Sequence, residues 1–155
     1  MKKLKCGILG ATGMVGQRFI TLLDAHPWFD VVAVAASPRS AGRKYSEAVE
    51  GRWFSKKEIP SNVKNLVVSD VANIEEIKGK VDFVFSAIEA SKDEIREFEN
   101  KYAENDIPVV SNNSAHRWTK DVPMIMPEIN PHHLDMIEIQ KKNQSFIGIG
   151  IIVLI

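Results

Sequence analysis

The 155-residue sequence predicts a doubly wound α/β domain, a mostly parallel sheet with helices on both faces. Three observations predict it. Apolar strand-like runs alternate with segments of helical periodicity along the chain. The run Phe29 to Ala36 (FDVVAVAA) is nearly continuous in apolar residues, as a parallel strand covered on both faces requires. The first run, Leu4 to Leu9, feeds directly into Gly10, Gly13 and Gly16, and a helix begins at once.

Taken in order, the helix after the glycines carries Val15, Phe19, Leu22 and Leu23 at helical spacing and ends at His26-Pro27. Phe29 to Ala36 is the second strand. Ser37 to Gly51 is polar and glycine-containing, a long loop with a helical turn near Tyr45 to Val49. Asn65 to Ser69 reads as a third strand and Val81 to Ala87 as a fourth, with a weak helix around Ile74 to Lys78 between them. Asp93 to Asn105 places Ile95, Phe98, Tyr102 and Ala103 on one helical face and charges on the other. Pro108 to Ser111 is a fifth strand. Asn130-Pro131 has the N-cap and first-turn preferences of a helix start, and Leu134 to Lys142 continues it. Ser145 to Ile155 reads as a closing apolar strand.

The length predicts one domain, residues 1–155. Apolar residues make up 45% and charged residues 26%, which is ordinary for a soluble globular chain. Twenty basic and twenty acidic residues cancel, so no global field recruits nucleic acid or an anionic membrane. One cysteine, Cys6, excludes an internal disulfide and fits a reducing compartment. No segment approaches the roughly 20 apolar residues of a membrane span, and a cytoplasmic location is expected. His26, His116, His132 and His133 lack partners at metal-ligand spacing, so no metal site is expected.

A strand, a glycine turn and a helix in that order are what a dinucleotide pyrophosphate requires. Gly10 permits the tight turn, Gly13 lets the backbone approach phosphate oxygens, and Gly16 lets the helix pack against the strand. The helix N-terminus adds N–H groups and a partial positive charge. At the end of the second strand an NAD site places an acidic residue for the ribose hydroxyls. Here Ser37-Pro38-Arg39-Ser40 follows Ala36. Two hydroxyls and a planar cationic fork suit a 2′-phosphate, and a carboxylate would repel it. NADP is therefore expected over NAD.

Taken together, GATGMVGQRF (Gly10 to Phe19), AASPRSAGRKY (Ala35 to Tyr45), VDFVFSA (Val81 to Ala87), SNNSAHRW (Ser111 to Trp118) and DVPMIMPEINPHHL (Asp121 to Leu134) resemble one family. It is the aspartate-semialdehyde dehydrogenases, particularly their archaeal-type branch. The last two stretches are more specific than the glycine turn, which many dinucleotide domains share. The resemblance implies a Rossmann-like cofactor domain and reduction of an acyl phosphate, aspartyl phosphate, to its semialdehyde with NADPH. By position it implies that Thr12, Gly13, Met14 and Val15 hold the pyrophosphate. It likewise assigns the 2′-phosphate to Ser37, Arg39 and Ser40, and a path along the cofactor to Ser86 and Ala87. Asn112 would stand beside the nicotinamide, and Arg117 would receive the substrate phosphate. Glu128 and Asn130 read as structural, with Asn130 capping the helix after it.

The resembled family carries its nucleophilic cysteine in an Asn-Pro-Asn-Cys motif, which these residues do not contain. Cys6 falls mid-strand on the face of Ile8 and reads as a packing residue. A cofactor domain inactive by itself, with the family's catalytic domain absent, is the expectation. Two alternatives stand beside it. One is the related malonyl-coenzyme A reductase domain. The other is a non-catalytic nucleotide-binding or interaction module whose apolar edge, Ile149 to Ile155, pairs with another chain, possible also as a homo-oligomer contact.

Overall fold

The computed structural model describes residues 2–143 and 149–152. The elements are β1 (Leu4–Leu9), α1 (Met14–Leu22), β2 (Phe29–Ala36), α2 (Tyr45–Ala48), α3 (Ser61–Lys64), β3 (Ser69–Asp70) and β4 (Phe83–Ser86). They continue with α4 (Lys92–Glu104), β5 (Val109–Ser111), β6 (Met124–Ile125), α5 (Met136–Asn143) and β7 (Ile149–Ile152), with 3-10 turns at Ile74–Glu76 and Pro131–Asp135. Among the described residues the strands form one sheet in the order β3-β2-β1-β4-β5-β7-β6, and every ladder in it is parallel. This is the doubly wound α/β fold.

Alternation along the strands builds a core on each face. Cys6 and Ile8 of β1 join Phe19 and Ile20 of α1, Val31 and Val34 of β2, and Tyr45. Leu9 joins Val84, Val109, and Ile95, Tyr102 and Ala103 of α4. An aromatic seam closes the first core: Phe19 stacks on Phe85 at 4.9 Å between ring centres, and Phe83 and Phe29 continue it edge to face. Cys6 is fully buried, and its thiol is pushed up to about 12, first by desolvation and then by Asp30. It is a packing residue.

Several elements differ from the expectation. The inward face of α1 is Gly16, Phe19 and Ile20, followed by Leu23, whereas Val15 and Leu22 are exposed. The close approach at Gly16 sets the helix rotation. The third strand shrinks to Ser69–Asp70 because the residues before it pair with a loop instead. Val68 N donates to Arg43 O (2.9 Å), Gly42 N to Val68 O (2.8 Å) and Tyr45 N to Leu66 O (2.8 Å). The face of α4 turned to the core includes Glu99, fully buried between Ile95 and Tyr102, so its charges are not all on the outer side.

The sequence reading had no counterpart for α3 or β6. Asn130 precedes the 3-10 turn without a side-chain cap. Its side chain instead accepts from Met126 N (2.6 Å) and donates to Met124 O (2.9 Å), fastening the end of β6. Of the expected closing strand, Ile149–Ile152 is β7, seated between β5 and β6. Residues 144–148 and 153–155 lie outside the described residues.

Candidate functional site

The chain winds from β1 outward through β2 to β3, then returns to the other side of β1 with β4. Such a reversal opens a crevice beyond the carboxyl ends of the two central strands, here β1 and β4. The glycine turn closes its floor. Gly10 has φ +78, and a Cβ there would stand 2.2 Å from Ala87 O at the end of β4. A Cβ on Gly16 would stand 2.2 Å from Gly10 O, so the helix packs on the turn itself, more closely than on the strand it follows. Gly13 is different. It is the extended residue before α1 and gives no side-chain cap, and the nearest atoms a Cβ there would meet are the tip of Glu89, at 2.8 Å, and Gly10 O, at 3.4 Å. A side chain on Gly13 would enter the space beside the first turn of α1, whose N–H groups have no partner within the helix, and the Glu89 carboxyl borders that space.

Around this turn lies a cleft of about 670 Å³. Gly10, Thr12, Gly13, Met14, Ser37, Arg39 and Ser40 all border it, so it gathers the expected 2′-phosphate residues and all of the expected pyrophosphate residues except Val15. A second cleft of about 710 Å³ runs along the outer side of α1 and is bordered by Val15 and Asn112. Met14 and Phe54 border both. Ser86 and Ala87 are buried at the end of β4. Ala87 N donates to Leu9 O (2.8 Å), Asn112 N to Ser86 O (2.9 Å), and Asn113 Nδ2 to Ser86 Oγ (3.2 Å), tying β1, β4 and β5 together beneath the crevice. Arg117 is exposed beyond β5 and borders neither cleft.

Ser40 borders the cleft with Ser37 and Arg39, and it is largely buried there. Its side chain is only 2% exposed, and its hydroxyl accepts from Arg52 Nη2 at 3.2 Å. Arg52 itself borders the cleft. Sequence reasoning missed it because it lies beyond the Ser37–Gly51 loop with no motif to mark it. Two further residues went unnoticed. Tyr45, fully buried, donates its hydroxyl to Ala11 O (2.8 Å) in the glycine turn, and burial pushes that phenol well above its usual range. Gln17 donates to Thr12 O (3.0 Å) and Arg52 O (3.0 Å) and accepts from Phe54 N (2.8 Å). Both brace the glycine turn to the segment that follows β2. A glutamine directly after Gly16, on the face that packs inward, was the one available sign of this.

A buried polar group supports the Asn112 side. Glu99 Oε1 accepts from Ser111 Oγ (2.6 Å) and Asn113 Nδ2 (3.2 Å), and Oε2 lies 3.9 Å from His116 Nε2. Desolvation holds the His116 imidazole below its ordinary value, with Glu99 acting in the opposite direction. The loop carrying Asn112 is thereby anchored to α4.

Residues 5–137 match the family described as "Semialdehyde dehydrogenase, NAD binding domain". The chain belongs to that family. It is similar to the aspartate-semialdehyde dehydrogenase of Archaeoglobus fulgidus, 46% identical over 92% of this chain and 39% of the relative. The Saccharomyces cerevisiae enzyme of the same name is 42% identical over 84% of this chain and 34% of its own length. Among solved structures, aspartate semialdehyde dehydrogenase with NADP from Candida albicans superposes with a TM-score of 0.83. It is 38% identical, with 97% of this chain and 42% of that chain covered. This semialdehyde dehydrogenase domain therefore spans about two fifths of the length of the relatives it matches.

Proposed function

We propose that these residues form the NADP-binding part of an aspartate-semialdehyde dehydrogenase, which converts aspartyl phosphate to the semialdehyde in the reductive direction. The observation that carries the reading is the joining of the glycine turn and the Ser37–Ser40 loop in one cleft. No carboxylate follows β2 to oppose a 2′-phosphate, and Arg39 stands there instead. The relatives named above and the NADP in the Candida albicans structure support the same reading.

In this assignment Thr12, Gly13, Met14 and Val15 hold the pyrophosphate at the start of α1. Ser37 and Arg39 bind the 2′-phosphate, and Ser40 acts through Arg52. Ser86 and Ala87 form the wall at the end of β4, and Asn112 takes the nicotinamide end. Arg117, beyond β5, receives the phosphate of the substrate. The cofactor supplies hydride when bound. The residues here bind and orient it, and the buried Cys6 offers no thiolate.

Titration of the 155-residue chain with NADPH and NADH, followed by ligand fluorescence, tests this. NADPH binds more tightly, and Arg39→Ala weakens it while leaving NADH nearly unchanged. The loss of one charge-assisted contact is about 1.5–3 kcal/mol, or roughly 10- to 150-fold. Equal loss of both cofactors would make Arg39 a structural residue, and no binding of either would end the proposal. The same chain is expected to show no turnover of aspartate semialdehyde. Turnover abolished by a substitution at a site residue would contradict that.

A further inference from the structure

We propose that Arg52 is a second phosphate-binding cation of the cleft and shares with Arg39 the preference for a 2′-phosphorylated nucleotide. This rests on the NADP reading above and extends it to a residue with no motif to mark it. Arg52 borders the same cleft as Ser37, Pro38, Arg39 and Ser40. Its guanidinium is fixed in place: Nε and Nη2 donate to Ala48 O at 2.9 and 2.6 Å, and Nη2 also donates to Ser40 Oγ at 3.2 Å. Its backbone is fixed as well, because Arg52 N donates to Val49 O (3.0 Å) and Arg52 O accepts from Gln17 Nε2 (3.0 Å). Those side-chain bonds use the Nε–H and both N–H groups of Nη2. The two N–H groups of Nη1 are left to meet an anion.

The charges of the cleft are sorted by position. Arg39 and Arg52 stand with the loop after β2, whereas Glu89 and Glu94 stand on the side of β4 and α4. Glu89 reaches to within 2.8 Å of the Cβ position of Gly13, and Glu94 is bonded to Ser91. The cationic end is the one expected to hold the 2′-phosphate. Ser40, buried and bonded to Arg52, is a positioning residue for the guanidinium. An arginine already held in one orientation loses little rotamer freedom on binding, so its contact is stronger than that of a mobile surface arginine.

A purely structural role predicts something else. Arg52 would then only close the end of α2 through Ala48 O, and its loss would weaken every nucleotide equally. The test therefore compares ligands that differ only in the phosphate. The intact chain and its Arg52→Gln and Arg52→Lys variants are titrated with NADPH, NADH, 2′,5′-ADP and 5′-ADP, and folding is monitored by circular dichroism. Arg52→Gln is expected to weaken NADPH and 2′,5′-ADP roughly 10-fold or more, with NADH and 5′-ADP changed less than about 2-fold. Arg52→Lys keeps the charge without the fork and retains part of the preference. It also serves as the readout if the glutamine variant does not fold. Equal weakening of all four ligands, or none, in a folded variant overturns the inference. If the unmodified chain binds NADPH no better than NADH, the NADP reading fails first, and this outcome is distinct from an Arg52 effect.

Discussion

Gly10 and Gly13 belong to the same turn but answer to different constraints. Gly10 has φ +78 and would drive a Cβ to 2.2 Å from a backbone oxygen, whereas a Cβ at Gly13 meets the flexible tip of Glu89 at 2.8 Å. Gly10→Ala is therefore expected to destabilise the domain by at least about 2 kcal/mol, through left-handed strain and a clash that cannot relax. Gly13→Ala is expected to keep nearly the full melting temperature but to lose NADPH affinity roughly 10-fold or more, because the added methyl occupies the phosphate approach. Thermal melts and NADPH titrations of the two variants check this. Equal destabilisation by both would remove Gly13 from the binding surface. The sequence placed both glycines in the turn. It could not separate them, because the difference lies in what each faces across the fold.

Element boundaries were legible where local chemistry sets them. The strands Leu4–Leu9 and Phe29–Ala36 stand as read, and α4 starts one residue earlier than expected, where Ser91 and Glu94 form a capping box. Hydrogen bonds from Ser91, side chain first and then backbone, hold the Glu94 carboxyl below its usual range. A carboxyl lowered in the folded state contributes stability that is full above its unfolded value and fades as pH falls through the folded one. Ser91→Ala is expected to return Glu94 toward its ordinary value, and to make the start of α4 less sensitive to acid. Carbon-detected NMR titration of the Glu94 carboxyl measures the first, and amide exchange of Lys92 to Ile95 across pH 3 to 6 measures the second. An unchanged Glu94 titration would mean the box does not persist in solution. The short third strand and the rotation of α1 were not legible, because backbone bonds from a neighbouring loop and the contact at Gly16 decided them.

The carboxyl-proximal half of the sheet depends on a strand that is late in the chain. β7 is in register with Val109, Val110 and Ser111 of β5 on one side and with Met124 and Ile125 of β6 on the other. A chain ending at Asn143 leaves these backbone groups without that partner. At about 1 kcal/mol for each backbone hydrogen bond, a loss on the order of 3 kcal/mol is expected. For a domain of this size that lowers the melting temperature by about 6–12 °C. Amide exchange should accelerate at Val110, Ser111 and Ile125, while β1 and β2 stay protected. Unchanged melting and exchange would show that β7 does not pair in solution. The effect should also reach the cofactor site, because Ser111 and Asn113 connect β5 to the buried Glu99.

By itself the sequence determined the fold class, the positions of the long elements, the glycine turn and the family, because periodicity, turn chemistry and motif order are local properties of the chain. Only the tertiary structure decided which side chains share the cleft. It buried Ser40 and brought Arg52 beside it, turned Tyr45 and Gln17 into braces for the glycine turn, and placed Glu99 under Asn113. Each of these contacts joins residues 5 to 37 positions apart, and which partner wins depends on how helices and loops pack over the strand ends.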